Sequence, residues 1–309
     1  MHAELRNNSV CALRSIHFGV IDLEQALDFF TRVWGLSRVD ISDQAAYLRG
    51  TGAAHYLVAL HKRAQTGILR GDLNAPDRNA VDAIHARLAA AGANDLTSPG
   101  ELKEPGGGYG FVVREPSGLL LLIVADDARH AKIADAIDLP SKLSHLVFSN
   151  PDKAAIERFF IEGLGFRLID RSRRINFLNC NADHHSIAIV NAEHRGLHRV
   201  AFEMPSFDAL MRGVGRLRDA KNEIGWGVGR HGPGNNIFAY FVGSEGLPVE
   251  YTAEVQQVDD SYRVGSPDDW KPVPGRMDQW GATAEPSAAM IHAEESFGFS
   301  TELLLNEPS

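Results

Sequence analysis

The chain has 309 residues, 44% of them hydrophobic, enough for two ordinary domains around a buried core, which excludes a wholly disordered polymer. Its formal net charge is -9 and its 31 lysines and arginines are scattered, so nothing argues for an electrostatic grip on nucleic acid and a small organic partner fits better. Cys11 and Cys180 are too few for a disulfide framework or a thiolate metal cluster. With no apolar signal-like start and no stretch of membrane-spanning length, the expectation is a cytoplasmic protein without a membrane partner.

In chain order, the first predicted elements are a strand through His17 and a helix starting at Leu23, with Asp22 as its cap. A second helix is expected over Asn79 to Ala91. The run Gly106 to Gly108 reads as a turn between strands, since no Lys-Ser or Lys-Thr pair follows to suggest a phosphate loop. The segment SGLLLLIVAD, carrying Leu122, closes the first half. Leu143 to Phe166 then repeats the pattern of Ser15 to Leu36: strand, histidine, acidic turn, helix ending in paired phenylalanines, small turn. Asn150, before a first-turn Pro151, is the expected cap of this helix.

In the strand from Gly196 to Met204, alternation puts His198, Val200 and Phe202 on one face and Arg199, Ala201 and Glu203 on the other. A helix is expected from Ser206 to Ala220, with Leu210, Val214 and Leu217 at helical spacing. Gly227, Gly229 and Gly232 spell GxGxxG but precede a strand, which argues against a dinucleotide site. In the last strand Glu250 lies on the side opposite Val249 and Tyr251. The remaining tail has Trp270 and Trp280 as its expected apolar anchors. It is too small for a domain and is expected to wrap over the second half, close a cavity mouth or contact another subunit, with surface packing the commonest outcome.

Self-similarity of this extent means a duplicated domain. The expected organisation is an N-terminal domain over 1–135, a C-terminal domain over 136–255 and an extension over 256–309. The fold class is α+β, each domain a pair of βαβββ units with helices outside and concave sheet faces turned toward a cavity.

Chemistry-bearing residues gather in the second half: His145 in LSHLVFSNPD, His185 in NFLNCNADHHSIAIV, Arg199 in GLHRVAFEM, His231 and Tyr240 in GRHGPGNNIFAYF, and Glu250 in PVEYTAEV. A lone strand histidine is ordinarily a satisfied polar residue, but the joint spacing of these groups is specific. Together they resemble the type I extradiol ring-cleaving dioxygenases of the vicinal oxygen chelate (glyoxalase/bleomycin resistance/dioxygenase) superfamily. The resemblance implies tandem vicinal oxygen chelate domains, a homo-oligomer, and a catechol or related hydroxylated aromatic as substrate beside dioxygen. It also implies Fe(II) held by two histidines and a glutamate.

By that resemblance His145 and Glu250 are metal ligands, His185 assists proton transfer at the metal-bound oxygen, and His231 and Tyr240 hold the substrate's hydroxyl oxygens. Phe177 lines the aromatic pocket, and Asn235 and Asn236 stand where polar substrate-side residues occur. The second histidine ligand's place is taken by Arg199, with His198 one residue too early. His17 matches His145 in the repeat and Arg70 falls near the place of Arg199. Leu122 stands where Glu250 stands, so the first half is expected to be a metal-free scaffold.

A guanidinium offers five donors and no lone pair. Arg199 is therefore expected to repel a divalent cation, fork onto Glu250 and leave iron poorly held or lost. His198 could enter the site only through a one-residue bulge, which nothing in the sequence marks, and His184 is expected to point away from His185 as a structural residue. The cavity is expected to be lined by His145, Phe177, His185, Arg199, His231, Tyr240 and Glu250. Three functions follow from these residues: an extradiol-dioxygenase-like enzyme on a catechol, a metal-independent isomerase, hydratase or lyase with Arg199 as electrophile, or a non-catalytic binder of aromatics.

Overall fold

The structure, a computed structural model, describes residues 8–133 and 136–300. The boundary expected after Asp135 and the end of the tail beyond Ser300 fall outside them. The first half contains β1 (Ala12–Val20), α1 (Leu23–Asp28), β2 (Ser37–Ile41), β3 (Ala45–Arg49), β4 (Val58–Lys62), β5 (Gly67–Asn74), α2 (Arg78–Ala90), β6 (Gly100–Glu101), β7 (Tyr109–Arg114) and β8 (Leu120–Ala125). The second repeats it as β9 (Lys142–Asn150), α3 (Lys153–Arg158), β10 (Arg167–Arg171), β11 (Ile175–Asn179), β12 (Ile187–Asn191), β13 (Gly196–Glu203), α4 (Phe207–Asp219), β14 (Trp226–Arg230), β15 (Ile237–Val242) and β16 (Pro248–Ala253). A last helix, α5 (Ala288–Ser296), follows in the tail.

Each half is one eight-stranded sheet, ordered β2-β3-β4-β1-β5-β8-β7-β6 and β10-β11-β12-β9-β13-β16-β15-β14. Both are built from two βαβββ units joined where β1 meets β5, or β9 meets β13, antiparallel. Local chemistry starts the helices where expected: Asp22 accepts from the Gln25 N–H and Ser206 from the Ala209 N–H. The third cap differs. Asp152, not Asn150, accepts from the Ala155 N–H, while the Asn150 side-chain Oδ1 accepts from the Asp152 N–H one step upstream.

The apolar faces of both sheets share a single core. Trp34 of the first half stacks on Tyr251 of the second at 3.9 Å between ring centroids and lies edge-on to Phe202. On α4, a Cβ at position 213 would sit 2.7 Å from the Tyr251 ring, so the close approach of helix to sheet requires Gly213. The Glu245 carboxylate crosses between halves, accepting from the Ile21 and Asp22 N–H groups at the start of α1.

Strand register corrects one expected equivalence. His17 pairs with Ala59 and Arg70, and the residue so placed in the second half is Val147, which pairs with Ala188 and Arg199. The residue equivalent to His145 is Ser15. The two segments run equally long from strand to cap, Ala12 to Asp22 and Lys142 to Asp152, so the histidines stand two positions apart on equivalent strands and, with a period of two, on the same face. Arg70 and Leu122 do occupy the places of Arg199 and Glu250.

The first half's concave face holds a bonded ionic cluster beside an apolar patch that includes Leu122. Asp72 accepts from Arg14 at 3.0 Å and Arg70 at 2.7 Å and lies 2.9 Å from His17 Nε2, while His17 Nδ1 is 3.0 Å from His61 Nε2. Burial, then the neighbouring His17, Arg63 and Arg70, push the His61 imidazole down to about 2. His61 is thus neutral in the fold and protonates more readily once unfolded. Stability is expected to fall as pH drops below the ordinary histidine range, by up to about 1.4 kcal/mol per pH unit from this residue. Urea unfolding of the parent and of His61→Phe at pH 7 and pH 5 checks this; equal slopes would remove His61 as the source.

Candidate active site

The candidate residues converge on the second sheet's concave face. His145 comes from β9, Phe177 from β11, Arg199 from β13, His231 from the turn after β14, Tyr240 from β15 and Glu250 from β16, with His185 on the loop before β12. Two β-bulges set the aim of the central strands. One, at Ser144 on β9, precedes His145. The other leaves His198 unpaired between Leu197 and Arg199, and a bulge recurs at Leu69 of the first half.

That second bulge overturns the expectation that strand alternation turns His198 away. His198 lines the same cavity as Arg199, its Nδ1 3.0 Å from Arg199 Nη1 and 3.1 Å from Glu294 Oε1 of α5. It is engaged there and does not join His145 and Glu250.

Arg199 Nε donates to Glu250 Oε2 at 2.9 Å, and His145 Nε2 lies 3.3 Å from the same oxygen. The guanidinium carbon sits 4.7 Å from the centroid of the Tyr240 ring. Burial would raise the Glu250 carboxyl, but the His145 ring and the Arg199 guanidinium hold it down to about 2. Burial likewise opposes the charge of Arg199, and Tyr240 and Glu250 more than offset it. The contact is a desolvated ion pair, with Glu250 fully buried and the Arg199 side chain 7% exposed.

The cavity above it measures about 290 Å³. Phe177, His185, Arg199, His231 and Tyr240 line it; His145 and Glu250 do not, because both are fully buried beneath the guanidinium. Asn235 and Asn236 also fall outside the lining. Asn235 is exposed in a left-handed turn, and the Asn236 amide donates to Thr252 Oγ1 at 2.8 Å. A larger cavity of about 640 Å³, lined by Ser9, Cys11, Arg167, Asn179 and Cys180 among others, contains none of the candidate residues and no comparable convergence of acid, base and cation.

His231 Nε2 and the Tyr240 hydroxyl are 2.8 Å apart, and the imidazole stacks on Phe238 at 3.9 Å. Burial pushes His231 down to about 3 and Tyr240 well above the usual phenol range, so both are neutral and share a hydrogen bond. Burial and the adjacent His145 and His184 lower His185 as well. Phe177 meets the His185 ring edge-on at 5.1 Å.

Closing a cavity mouth is among the outcomes expected of the tail, and the structure supplies the residues that sequence reasoning did not name: Trp270, Pro286 and Glu294 join the cavity wall. The tail's buried anchors include Val258, Met290, Ala293 and Phe297, whereas Trp280 is 42% exposed and rests against Phe207. His184 does not turn away either. It sits with His185 on a loop rather than a strand, and the two Nδ1 atoms are 3.1 Å apart.

The donor set does not fit a divalent metal. Two candidate ligands remain, one already shared with a cation, and among the described residues no three His, Cys, Asp or Glu side chains form a metal-holding group.

The family model described as Glyoxalase/Bleomycin resistance protein/Dioxygenase superfamily matches residues 12–123 and 142–251. Among solved structures, the Mn(II)-bound glyoxalase from Novosphingobium aromaticivorans is 37% identical with a TM-score of 0.84, covering 91% of this chain and 94% of that one. Metapyrocatechase 2 of Cupriavidus necator is 29% identical over 187 residues, 59% of this chain; the match spans only 52% of that protein. Biphenyl-2,3-diol 1,2-dioxygenase of Metapseudomonas furukawaii is 24% identical over 284 residues, 85% of this chain and 93% of that protein.

Proposed function

The chain belongs to the glyoxalase/bleomycin resistance protein/dioxygenase superfamily, and from that premise we propose that it is an enzyme acting on a catechol or a related hydroxylated aromatic, or its ring-opened enol, by proton transfer without a resident metal. The diol class is suggested by relatives named metapyrocatechase and biphenyl-2,3-diol dioxygenase. The observation that carries the metal-independent reading is the Arg199–Glu250 ion pair lying over His145. It sets a permanent positive charge beside His145 and Glu250, the two residues that the family resemblance assigns as metal ligands.

In this reading the ring of the ligand lies against Phe177, and Arg199 draws charge onto an oxygen as it develops. The neutral His231–Tyr240 pair, its own atoms 2.8 Å apart, supplies or accepts the ligand's hydroxyl proton. His185, held neutral, takes the second proton-transfer position. Glu250 keeps the guanidinium oriented and is not itself in contact with the cavity.

Two measurements test this. After anaerobic loading with Fe(II) or Mn(II) and desalting, metal analysis should find far less than one ion per chain. The metal-free protein should bind 2,3-dihydroxybiphenyl and catalyse solvent deuterium exchange into a 2-hydroxy-2,4-dienoate, with His231→Ala lowering the exchange rate by about 10²–10⁴-fold. Stoichiometric metal with oxygen uptake on the diol would overturn the metal-independent reading. Binding without exchange would overturn the enzymatic one in favour of an aromatic-binding protein.

A further inference from the structure

Behind His185 lies a chain of buried groups that the proposed reaction does not use directly. Asp170, at the end of β10, is fully buried, as is His184, and His185 is 2% exposed. Asp170 Oδ1 accepts from the Gly265 N–H at 2.6 Å; its Oδ2 lies 2.8 Å from His184 Nε2 and accepts from the Tyr262 hydroxyl at 3.2 Å. His184 Nδ1 is 3.1 Å from His185 Nδ1. The three side chains run in line from the tail to the cavity.

Proton bookkeeping along this line leaves one arrangement for neutral rings. An ionised carboxylate only accepts, so the proton of His184 is on Nε2. Its Nδ1 is then a lone pair, and the 3.1 Å contact is a hydrogen bond only if His185 carries its proton on Nδ1 and donates. The Nε2 of His185 is left without a proton on a ring that lines the cavity between His145 and Phe177. A lone pair there accepts a proton; the other tautomer would offer a donor and could not act as a base.

We propose that Asp170 and His184 are positioning residues that fix His185 as its Nδ1–H tautomer, so that His185 Nε2 enters the cavity as the proton acceptor for a ligand hydroxyl. The use of that lone pair as a base rests on the function proposed above, but the tautomer does not, and it is read on the ligand-free protein. The second half thereby assigns opposite duties to its histidines: His185 a base fixed from behind, His231 a partner sharing a proton with Tyr240.

Long-range ¹H–¹⁵N correlation spectra distinguish the two tautomers, with the His185 signals assigned by their loss in His185→Gln. In the full-length protein near neutral pH, His185 should show the Nδ1–H pattern. Asp170→Asn should invert it. The new amide keeps its oxygen on the Gly265 N–H and turns its NH2 toward His184 Nε2, which moves the His184 proton to Nδ1 and the His185 proton to Nε2. An Nε2–H pattern in the parent protein, or an unchanged His185 pattern in a folded Asp170→Asn variant, would overturn the proposal. The parent spectrum decides by itself if that variant does not fold. Loss of 2,3-dihydroxybiphenyl binding with the tautomer intact would count against the function alone.

Discussion

Arg199→His is expected to convert the protein into one that retains Fe(II) or Mn(II), one ion per chain, after anaerobic loading. His145 and Glu250 already lie within 3.3 Å of each other, buried next to Arg199, and only the third donor is missing. An imidazole at 199 replaces a group without a lone pair and removes the charge that opposes a dication. Altering residues that merely orient a metal ligand costs about 10–100-fold in affinity, so restoring a ligand itself should gain at least about 100-fold. Competition with a chelating dye measures it. An affinity equal to that of the parent would show that Glu250 and His145 are not preorganised as ligands, and that the ion pair is not what excludes the metal.

Glu250→Leu should be among the most destabilising single substitutions in the chain. It installs the residue that the first half carries at this place, Leu122, but it leaves the Arg199 guanidinium buried without its carboxylate. Breaking a buried pair by removing one partner costs about 3–5 kcal/mol, mainly because the surviving charge is stranded. Removing both charges in Arg199→Met with Glu250→Leu should recover most of that loss, since an apolar pair of similar volume needs no compensation. Urea unfolding of the two singles and the double closes the cycle. A loss below about 1 kcal/mol for Glu250→Leu would place the pair with surface ion pairs and contradict its burial.

Much of the site was legible because its signals are local or periodic. The repeated strand-turn-helix segment announced the duplication, and Asp22 and Ser206 announced helix starts because capping depends on residues only three apart. The pairing of Arg199 with Glu250 follows from charge and alternation on two strands and is met by one 2.9 Å bond from Nε to Oε2, not by the expected fork, since Glu250 Oε1 takes no partner among the described residues. The misreadings share a different cause. Matching His17 to His145 rests on both being strand histidines, whereas hydrogen-bonded register, two residues away, defines equivalence. His198 was turned outward by a strict period of two, which a bulge interrupts with no residue to mark it.

What the sequence determined by itself is the duplicated α+β architecture, the half in which the candidate residues gather, and the presence of a cation, Arg199, among them. These depend on residue identity and on periodicities of two and 3.6. Only the tertiary structure decided that the guanidinium seals His145 and Glu250 from the cavity and that the tail brings Glu294 to His198. It alone also placed Asp170 and His184 behind His185. Those contacts join residues from 14 to 105 positions apart, except for the neighbouring histidines, and their existence depends on strand register, a bulge and the path of a loop. None of the three leaves a trace in composition or spacing, because each is set by where the rest of the chain packs.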